Sequence, residues 1–242
     1  MATLTTTALV TGASGGIGAE VARQLAAIGV TVVVSARNID RARETAESID
    51  GNVQVLPVGL DVADPDSVQT AAASLAGDPG ELDILINNAA GYVDWAELAS
   101  SADLDAARAV MEVNLFGAWR MTNALLPLLR RSDHPRVVHV SSGAGSHEDE
   151  QFGLRKRHGA AAVYGISKAA LNALTSTQAA EFAETPIIVN AVCPGLTATY
   201  PGAEAMGARP VIDGAASVLW AALLPDDGPR GGFFRDGQPL GW

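Results

Sequence analysis

Residues 8–18 read Ala-Leu-Val-Thr-Gly-Ala-Ser-Gly-Gly-Ile-Gly, and this stretch decides the fold. Its first three residues are apolar and are typical of a short buried strand. After the glycines, apolar residues recur at helical spacing, at Ile17, Val21, Leu25 and Ile28, and Gly29 follows as the expected C-cap. The order strand, glycine turn, helix is typical of folds that hold a pyrophosphate against the N-terminus of the helix, where N–H groups are unpaired and the helix dipole is positive.

The glycines of this turn have the spacing G-x-x-x-G-x-G, which differs from the G-x-G-x-x-G of the usual dinucleotide fold. Gly12 permits the tight turn, Gly16 lets the backbone approach a phosphate, and Gly18 lets the helix pack on the sheet. The alternative is a turn with only a structural role, but its place between a strand and an amphipathic helix favours nucleotide binding. The residues that we expect to contact the nucleotide here are Gly12, Ser14, Gly15, Gly16, Ile17 and Gly18.

The second expected strand, residues 30–35, leads to Arg37, nineteen residues after Gly18. In NAD-binding proteins an acidic residue near this position holds the ribose 2′-hydroxyl, whereas an arginine accommodates a 2′-phosphate. Arg41 follows closely, and guanidinium groups pair well with a phosphate dianion. We therefore predict NADP(H) as the cofactor. The alternative is that Arg37 only begins a solvent-facing helix.

The rest of the chain continues to alternate between strand and helix patterns. Strands are expected at 53–60, 82–86, 136–140, 187–192 and 232–235, and helices at 39–49, 65–76, 101–131, 161–182 and 211–224. Pro127 should kink the long fourth helix or mark its boundary. This alternation predicts an α/β fold, a single doubly wound Rossmann domain over residues 1–242, with an approximately seven-stranded parallel sheet and helices on both faces.

Composition and charge restrict the class of protein. The chain has 242 residues, 48% of them hydrophobic, and a net charge of −11, which argues against binding to nucleic acid or an anionic membrane. The lone Cys193 excludes an intrachain disulfide, and no secretory leader or membrane-spanning run is visible, so we expect a cytoplasmic protein. The four histidines, His134, His139, His147 and His158, lack ligand spacing, so no metal site is predicted. Composition leaves a monomer and a homo-oligomer both open.

Tyr164 and Lys168 are four residues apart in an expected helix and therefore share one of its faces. A phenol has a pKa of about 10, and a nearby ammonium should lower that pKa. The pair is a candidate proton donor and acceptor for alcohol and carbonyl chemistry. The alternative is a surface tyrosine beside a solvated lysine. It is disfavoured because many polar or glycine residues follow strand ends, where parallel sheets bind ligands: Gly12–Gly18, Arg37, Asp61, Asn87–Ala90, Ser142 and Pro194–Gly195.

Together these segments resemble the short-chain dehydrogenase/reductase family over nearly the whole chain. The resemblance rests on Thr11–Gly18, Asn87–Ala90, Asn114, Ser142, Tyr164-x-x-x-Lys168 and Pro194-Gly195. The tail, with Leu223-Leu224-Pro225, Gly231-Gly232-Phe233-Phe234 and the terminal Trp242, is similar to the carbonyl-reductase-like branch.

The resemblance implies a role for each matching residue. Tyr164 would be the catalytic acid and base, Lys168 would lower its pKa and hold the nicotinamide ribose, and Ser142 would orient the substrate carbonyl. Asn114 would hold a water that links Lys168 to solvent. The implied cofactor contacts beyond the first turn and Arg37 are Asp61 and Val62 at the adenine, Asn88, Ala89 and Ala90 along the adenosine ribose, and Pro194, Gly195, Thr197 and Thr199 at the carboxamide.

Two departures from the family pattern stand out. Ala90 replaces a glycine and should crowd the cofactor slightly without abolishing binding. The segment between Ser142 and Tyr164 is longer than usual, with an insertion at about 146–159 that could cap the substrate pocket, hinder helix pairing between subunits, or be only a solvated charged excursion. Aromatic and Met side chains in loops could line a substrate pocket or be ordinary packing residues: Tyr92, Trp95, Phe152, Tyr200 and Met206.

The leading functional hypothesis is an NADPH-dependent oxidoreductase that reduces a ketone or aldehyde to an alcohol by hydride transfer, with Tyr164 as general acid. The small-molecule carbonyl substrate is not identified by the sequence. One alternative is NADP-linked oxidation of a secondary alcohol. Another is a catalytically silent NADP-binding regulatory protein, against which the intact set Asn114, Ser142, Tyr164 and Lys168 argues.

Overall fold

The computed structural model describes residues 6–56, 58–77 and 80–242, and its centre is one eight-stranded sheet. The strand order is β3-β2-β1-β4-β5-β6-β7-β8, and every neighbouring pair is parallel except β7 and β8. The strands are β1 (Thr7–Val10), β2 (Thr31–Val34), β3 (Val53–Val55), β4 (Ile84–Asn87), β5 (Arg136–Val140), β6 (Ile188–Val192), β7 (Phe233–Arg235) and β8 (Gln238–Pro239). The predicted doubly wound α/β fold is confirmed, with an additional antiparallel edge strand that the sequence did not indicate.

Seven α-helices within the described residues cover the two faces of the sheet. They are α1 (Gly16–Ala27), α2 (Ile39–Glu47), α3 (Pro65–Gly77), α4 (Leu104–Met111), α5 (Ala118–Leu129), α6 (Ala162–Glu181) and α7 (Val211–Ala222). No helix among these residues is both long and apolar enough to cross a bilayer. That residues 1–242 form a single domain stays a prediction.

Alternate residues of the strands face opposite layers, as the period of two in a strand requires. In β1, Ala8 and Val10 pack with the layer of α1, α2 and α7, whereas Leu9 packs with the layer of α3, α5 and α6. Both faces are apolar, which is why the strands read as continuous hydrophobic runs. The sheet therefore buries its centre and leaves its carboxyl edge for a site.

The long fourth helix of the prediction is interrupted in the structure. A π-helical segment at Glu112–Gly117 separates α4 from α5, and it contains Asn114. Gly117 lies so close to Val62 that an added Cβ would be 2.7 Å from its Cγ2 atom. Pro127 lies inside α5, two residues before the helix ends at Leu129, and so marks its last turn. π segments are often found at functional sites.

One polar cluster interrupts the apolar layer beneath α6. The imidazole of His139 in β5 is fully buried, with Nε2 2.9 Å from Gln178 Oε1 and Nδ1 3.2 Å from Asn87 Nδ2. Thr122 donates to the Ala118 carbonyl, so its hydroxyl can only accept from Asn87 Nδ2. This orientation makes His139 neutral, with its proton on Nε2. The pKa of His139 is lowered from 6.5 to about 4. Burial is the main cause, the Gln178 hydrogen bond acts in the opposite direction, and the charge of Lys168 adds a smaller lowering.

Candidate functional site

The glycine turn after β1 is held against the loop after β4. Gly12 has a φ of 65°, and an added Cβ would lie 2.8 Å from the Cα atom of Ala89. Asn88 Nδ2 donates to the carbonyl oxygens of Thr11 and Gly12 at 2.8 and 3.1 Å. An added Cβ at Gly18 would lie 2.5 Å from that same nitrogen. Gly12 and Gly18 therefore have structural reasons to be glycine, and Asn88 anchors the turn.

Gly15 differs from these two glycines because its environment is open. An added Cβ there would meet no heavy atom within 4 Å. Gly15 precedes α1, whose first turn has no acidic residue and no side-chain cap. The first N–H groups of α1 are therefore available to an anion. Thr199, from the loop after β6, lies opposite, 3.4 Å from the position of a Cβ on Gly16.

Two exposed arginines lie near the N-terminus of α2. Arg37 precedes the helix and Arg41 lies in its first turn, and neither forms an ion pair within the described parts of the chain. Arg43 on the same helix is already paired with Asp40 at 2.8 Å. The first two guanidinium groups can therefore receive a phosphate without breaking an existing contact.

Asp61 and Val62, the residues predicted at the adenine, follow β3 on the same edge. Asp61 Oδ1 accepts a hydrogen bond from the Ala63 N–H at 3.0 Å, and Val62 is buried. Their contact with an adenine stays a prediction, as do those of Asn88, Ala89 and Ala90 with a ribose. Crowding by Ala90 also stays a prediction.

Tyr164 and Lys168 lie on the buried face of α6, as the four-residue spacing predicts. The side chain of Tyr164 is only 7% exposed, and Lys168 Nζ lies 5.7 Å from the centroid of its ring. Lys168 Nζ donates to the Val140 carbonyl oxygen at 2.8 Å, which ties α6 to the end of β5. The alternative of a surface tyrosine beside a solvated lysine is excluded by this burial.

The expected lowering of the Tyr164 pKa is wrong for this structure. Burial raises the pKa of Tyr164 above its usual value of 10, the neighbouring Tyr92 adds to the effect, and a hydrogen bond with Ser142 offsets it only in part. Burial also lowers the pKa of Lys168 from 10.5 to about 8. Burial therefore favours the neutral form of each of the two side chains.

Ser142 and Asn114 lie near this pair but are engaged differently. Ser142 is partly exposed, and its Oγ accepts from the Ala144 N–H at 3.2 Å. Asn114 is buried; its Oδ1 accepts from the Gly91 N–H at 2.7 Å, and its Nδ2 donates to the Gly91 carbonyl and to Ser167 Oγ. Both amide protons are used, so a role of the Asn114 side chain in holding a water stays a prediction. Its observed role is to clamp the loop after β4.

The segment predicted to hold the carboxamide is built around Arg209. Its Nε donates to the Pro194 carbonyl at 2.8 Å, and Gly195, with a φ of 73°, approaches the same guanidinium. Thr197 Oγ1 donates toward the Pro194 and Gly195 carbonyls, each at 3.1 Å. Buried Thr197 is therefore a brace of the loop, whereas exposed Thr199 faces Gly16.

The insertion at about 146–159 is anchored at its base and charged outside. The buried carboxylate of Asp149 accepts from the Gln151 and Phe152 N–H groups and from Arg235 Nη2 at 2.5 Å. Arg235 Nη2 also lies 3.2 Å from Cys193 Sγ. Its outer charged side chains line a surface cavity of about 360 Å³, and two of them, Glu150 and Lys156, form an exposed ion pair at its wall. The base of the insertion is therefore fixed by buried contacts, whereas charged side chains on its outer side are exposed.

Sequence reasoning missed several of these contacts. Asp149 and Arg235 are 86 residues apart, and no local pattern connects them. Tyr92 and Trp95, which the sequence left as possible packing residues, stand directly against Tyr164. For Phe152, Tyr200 and Met206, lining of a substrate pocket stays a prediction.

Comparisons with known proteins identify the family of the chain. The short chain dehydrogenase family matches residues 6–206. The chain is 31% identical to (+)-neomenthol dehydrogenase of Arabidopsis thaliana, over 96% of each protein. It is 32% identical to salutaridine reductase of Papaver bracteatum, over 96% of this chain and 94% of that one.

Solved structures give the same result. The fold superimposes on an NADPH-bound carbonyl reductase from chicken fatty liver with a TM-score of 0.84 and 28% identity, covering 98% of this chain and 99% of the other. A short chain dehydrogenase from Shigella flexneri complexed with NADP superimposes with a TM-score of 0.82. With the buried tyrosine and lysine, the glycine turn and these likenesses together, the chain belongs to the short-chain dehydrogenase/reductase family and is an oxidoreductase.

Proposed function

We propose that this protein reduces a ketone or aldehyde to an alcohol with NADPH, and that Tyr164 donates the proton. The observation that carries the proposal is the buried pair of Tyr164 and Lys168, which α6 places beside Ser142 at the carboxyl edge of the sheet. Buried titratable groups with shifted pKa values are typical of functional sites. The same edge carries the glycine turn that suits a pyrophosphate.

The residues present fit NADP(H) in three respects. The space beside Gly15 is open, the N-terminus of α1 is uncapped by side chains, and Arg37 and Arg41 have no competing ion pair within the described residues. Arg37 would hold the 2′-phosphate, and the loop carrying Pro194 and Thr199 would close over the nicotinamide end. The NADPH named for the chicken enzyme and the NADP named for the Shigella protein support this assignment.

When bound, the cofactor supplies the hydride. The chain supplies orientation and the proton. In the proposed reaction the hydroxyl groups of Ser142 and Tyr164 would both contact the carbonyl oxygen, and the phenol would give up its proton as negative charge develops there. Lys168 would hold the ribose and, by its charge, stabilise the phenolate that remains. Reduction requires the protonated form of Tyr164, and burial favours that form by raising its pKa.

NADP-linked oxidation of a secondary alcohol is the second candidate function. The dehydrogenase name of the Arabidopsis relative favours it. It uses the same residues in the reverse sense, with the Tyr164 phenolate as base. Steady-state rates in both directions at neutral pH would separate the two.

The test of the proposal is a panel of ketones and aldehydes, with NADPH consumption followed by absorbance, for the wild type and Tyr164→Phe. We expect carbonyl-dependent NADPH oxidation in the wild type. In Tyr164→Phe we expect unchanged NADPH affinity and a rate lower by about 10²- to 10⁴-fold, the usual contribution of general acid catalysis. A variant that keeps the wild-type rate would show that Tyr164 is not the proton donor.

A further inference from the structure

Two exposed aromatic side chains cover the phenol that the reaction needs. The rings of Tyr92 and Tyr164 are stacked, with centroids 5.4 Å apart and planes inclined by 19°. Trp95 approaches Tyr164 edge-on, at 5.2 Å and 68°. Tyr92 is 61% exposed and Trp95 41%, whereas Tyr164 is 7% exposed. Each covering side chain therefore has one side on the reactive phenol and another in solvent.

The segment that carries these two rings is fixed on both sides. Gly91, just before Tyr92, exchanges hydrogen bonds with the side chain of Asn114 in both directions. Glu97, two residues after Trp95, accepts from the Val163 N–H through its Oε2 at 3.3 Å and from the Ala162 N–H through its carbonyl. The second tie joins the segment to the first turn of α6, which bears Tyr164. The aromatic pair is thus held in register with the phenol.

Tyr92 and Trp95 also contact each other and so form one aromatic surface. Tyr92 and Trp95 have their ring centroids 5.9 Å apart, with planes inclined by 50°. Large exposed apolar surface on a fixed loop is typical of a binding surface, whereas packing aromatics are usually covered. Tyrosine and tryptophan also present a wide rigid area at a low cost in conformational entropy.

The reaction indicates which kind of substrate group would contact this aromatic surface. A carbonyl oxygen that accepts the Tyr164 proton places the group attached to its carbon beside the side chains that cover the Tyr164 ring. A flat ring can stack on an aromatic face, and it loses no chain rotamers on binding. A flexible alkyl chain of equal size loses its rotational freedom there and gains no stacking.

We propose that Tyr92 and Trp95 select substrates whose carbonyl group is part of a ring or is directly attached to one, a proposal that rests on the reductase function above. The two residues act as specificity determinants. Tyr164 and Ser142 act on the carbonyl group alone, whatever is attached to it.

The test compares methyl phenyl ketone with methyl hexyl ketone, which have equal numbers of carbon atoms, in Trp95→Ala, Tyr92→Ala and Tyr92→Phe. We expect kcat/KM for the phenyl ketone to fall by about tenfold in each alanine variant. The fall should come mainly from KM, and the hexyl ketone should change much less. Tyr92→Phe keeps the ring and should stay close to the wild type. Trp119→Ala is the matched control, because Trp119 is 43% exposed but lies on α5.

Three outcomes would contradict the proposal, each for a different reason. If the wild type reduces neither ketone nor any other carbonyl compound, the reductase function is wrong and the specificity proposal fails with it. If the wild type is active and both ketones lose activity equally in the alanine variants, the aromatic pair only packs against Tyr164. If neither ketone loses activity in the alanine variants, another surface selects the substrate.

Discussion

Alanine substitutions at Gly18 and Gly15, two glycines of the same turn, should have opposite effects: one should lower stability and the other should weaken cofactor binding. Gly18→Ala places a methyl group 2.5 Å from Asn88 Nδ2 and 2.7 Å from the Gly12 carbonyl oxygen, where normal contacts need about 3.5 Å. Such overpacking costs about 3 kcal/mol, and the better helix propensity of alanine returns at most about 1 kcal/mol. The net loss of about 2 kcal/mol lowers Tm by about 4 to 8 °C in a domain of this size.

Gly15→Ala should have the opposite pattern. Its methyl group meets no protein atom within 4 Å, and its φ of 162° is extended backbone that any residue adopts, so Tm should stay the same or rise slightly. In the proposed complex, however, that methyl group occupies space needed by the pyrophosphate. If the cost resembles other overpacking, about 1 to 3 kcal/mol, NADPH affinity falls by about 5- to 150-fold.

The assay is a thermal unfolding curve without cofactor together with an NADPH titration for each variant. Gly77→Ala at the end of α3 is the control, since an added Cβ there contacts no atom of the described residues within 4 Å, and neither quantity should change much. Wild-type NADPH affinity in Gly15→Ala would refute the placement of the pyrophosphate. An unchanged Tm in Gly18→Ala would refute the steric reasoning.

Three further predictions concern charge. Arg37→Asp should shift the preference from NADPH toward NADH. Arg43→Asp is the control and should not, because Arg43 is already paired with Asp40. Equal cofactor preference in the two variants would mean that the 2′-phosphate is misplaced. Because the pKa of His139 is about 4 when folded and 6.5 when unfolded, its contribution to the free energy of unfolding is complete above pH 6.5 and declines by about 3 kcal/mol toward pH 4. Denaturant titrations at several pH values should show this decline in the wild type and a smaller one in His139→Gln. Burial raises the pKa of Asp149, but the Phe152 and Gln151 N–H groups and Arg235 lower it more, so Asp149 stabilises the folded state above the usual carboxyl pKa and loses this effect as pH falls through the lowered folded value. Asp149→Asn should remove that acid-dependent loss of stability and lower Tm at neutral pH. A Tm equal to that of the wild type would contradict this prediction.

Local patterns were sufficient to predict the sheet and the order of its elements. The apolar strand runs and the glycine turn of residues 8–18 depend only on nearby residues, so their periodicity predicts them. β8 was missed because it has two residues, one of them Pro239, and forms only by folding back on β7. β3 is shorter than expected, ending at Val55, although Leu56 still donates to the Val34 carbonyl.

The sequence predicts which residues lie together at this edge of the sheet; it does not predict most of their contacts, and their roles stay predictions. The spacing of Tyr164 and Lys168 fixes their shared helix face, yet the aromatic rings that pack against Tyr164 belong to Tyr92 and Trp95, more than sixty residues earlier. The π segment around Asn114 likewise depends on long-range packing, because Asn114 bonds to Gly91. Contacts between distant segments leave no periodic signal in the sequence.

Deuterium transfer tests the central claim most directly. NADPH that carries deuterium at the transferable position of its nicotinamide would be mixed with a ketone reduced by the wild type, and the product alcohol analysed by mass spectrometry. The account predicts one deuterium on the carbinol carbon with the wild type, and almost none formed in the same time by Tyr164→Phe saturated with the same cofactor. Product alcohol without deuterium at that carbon, or equal labelling by Tyr164→Phe, would contradict it.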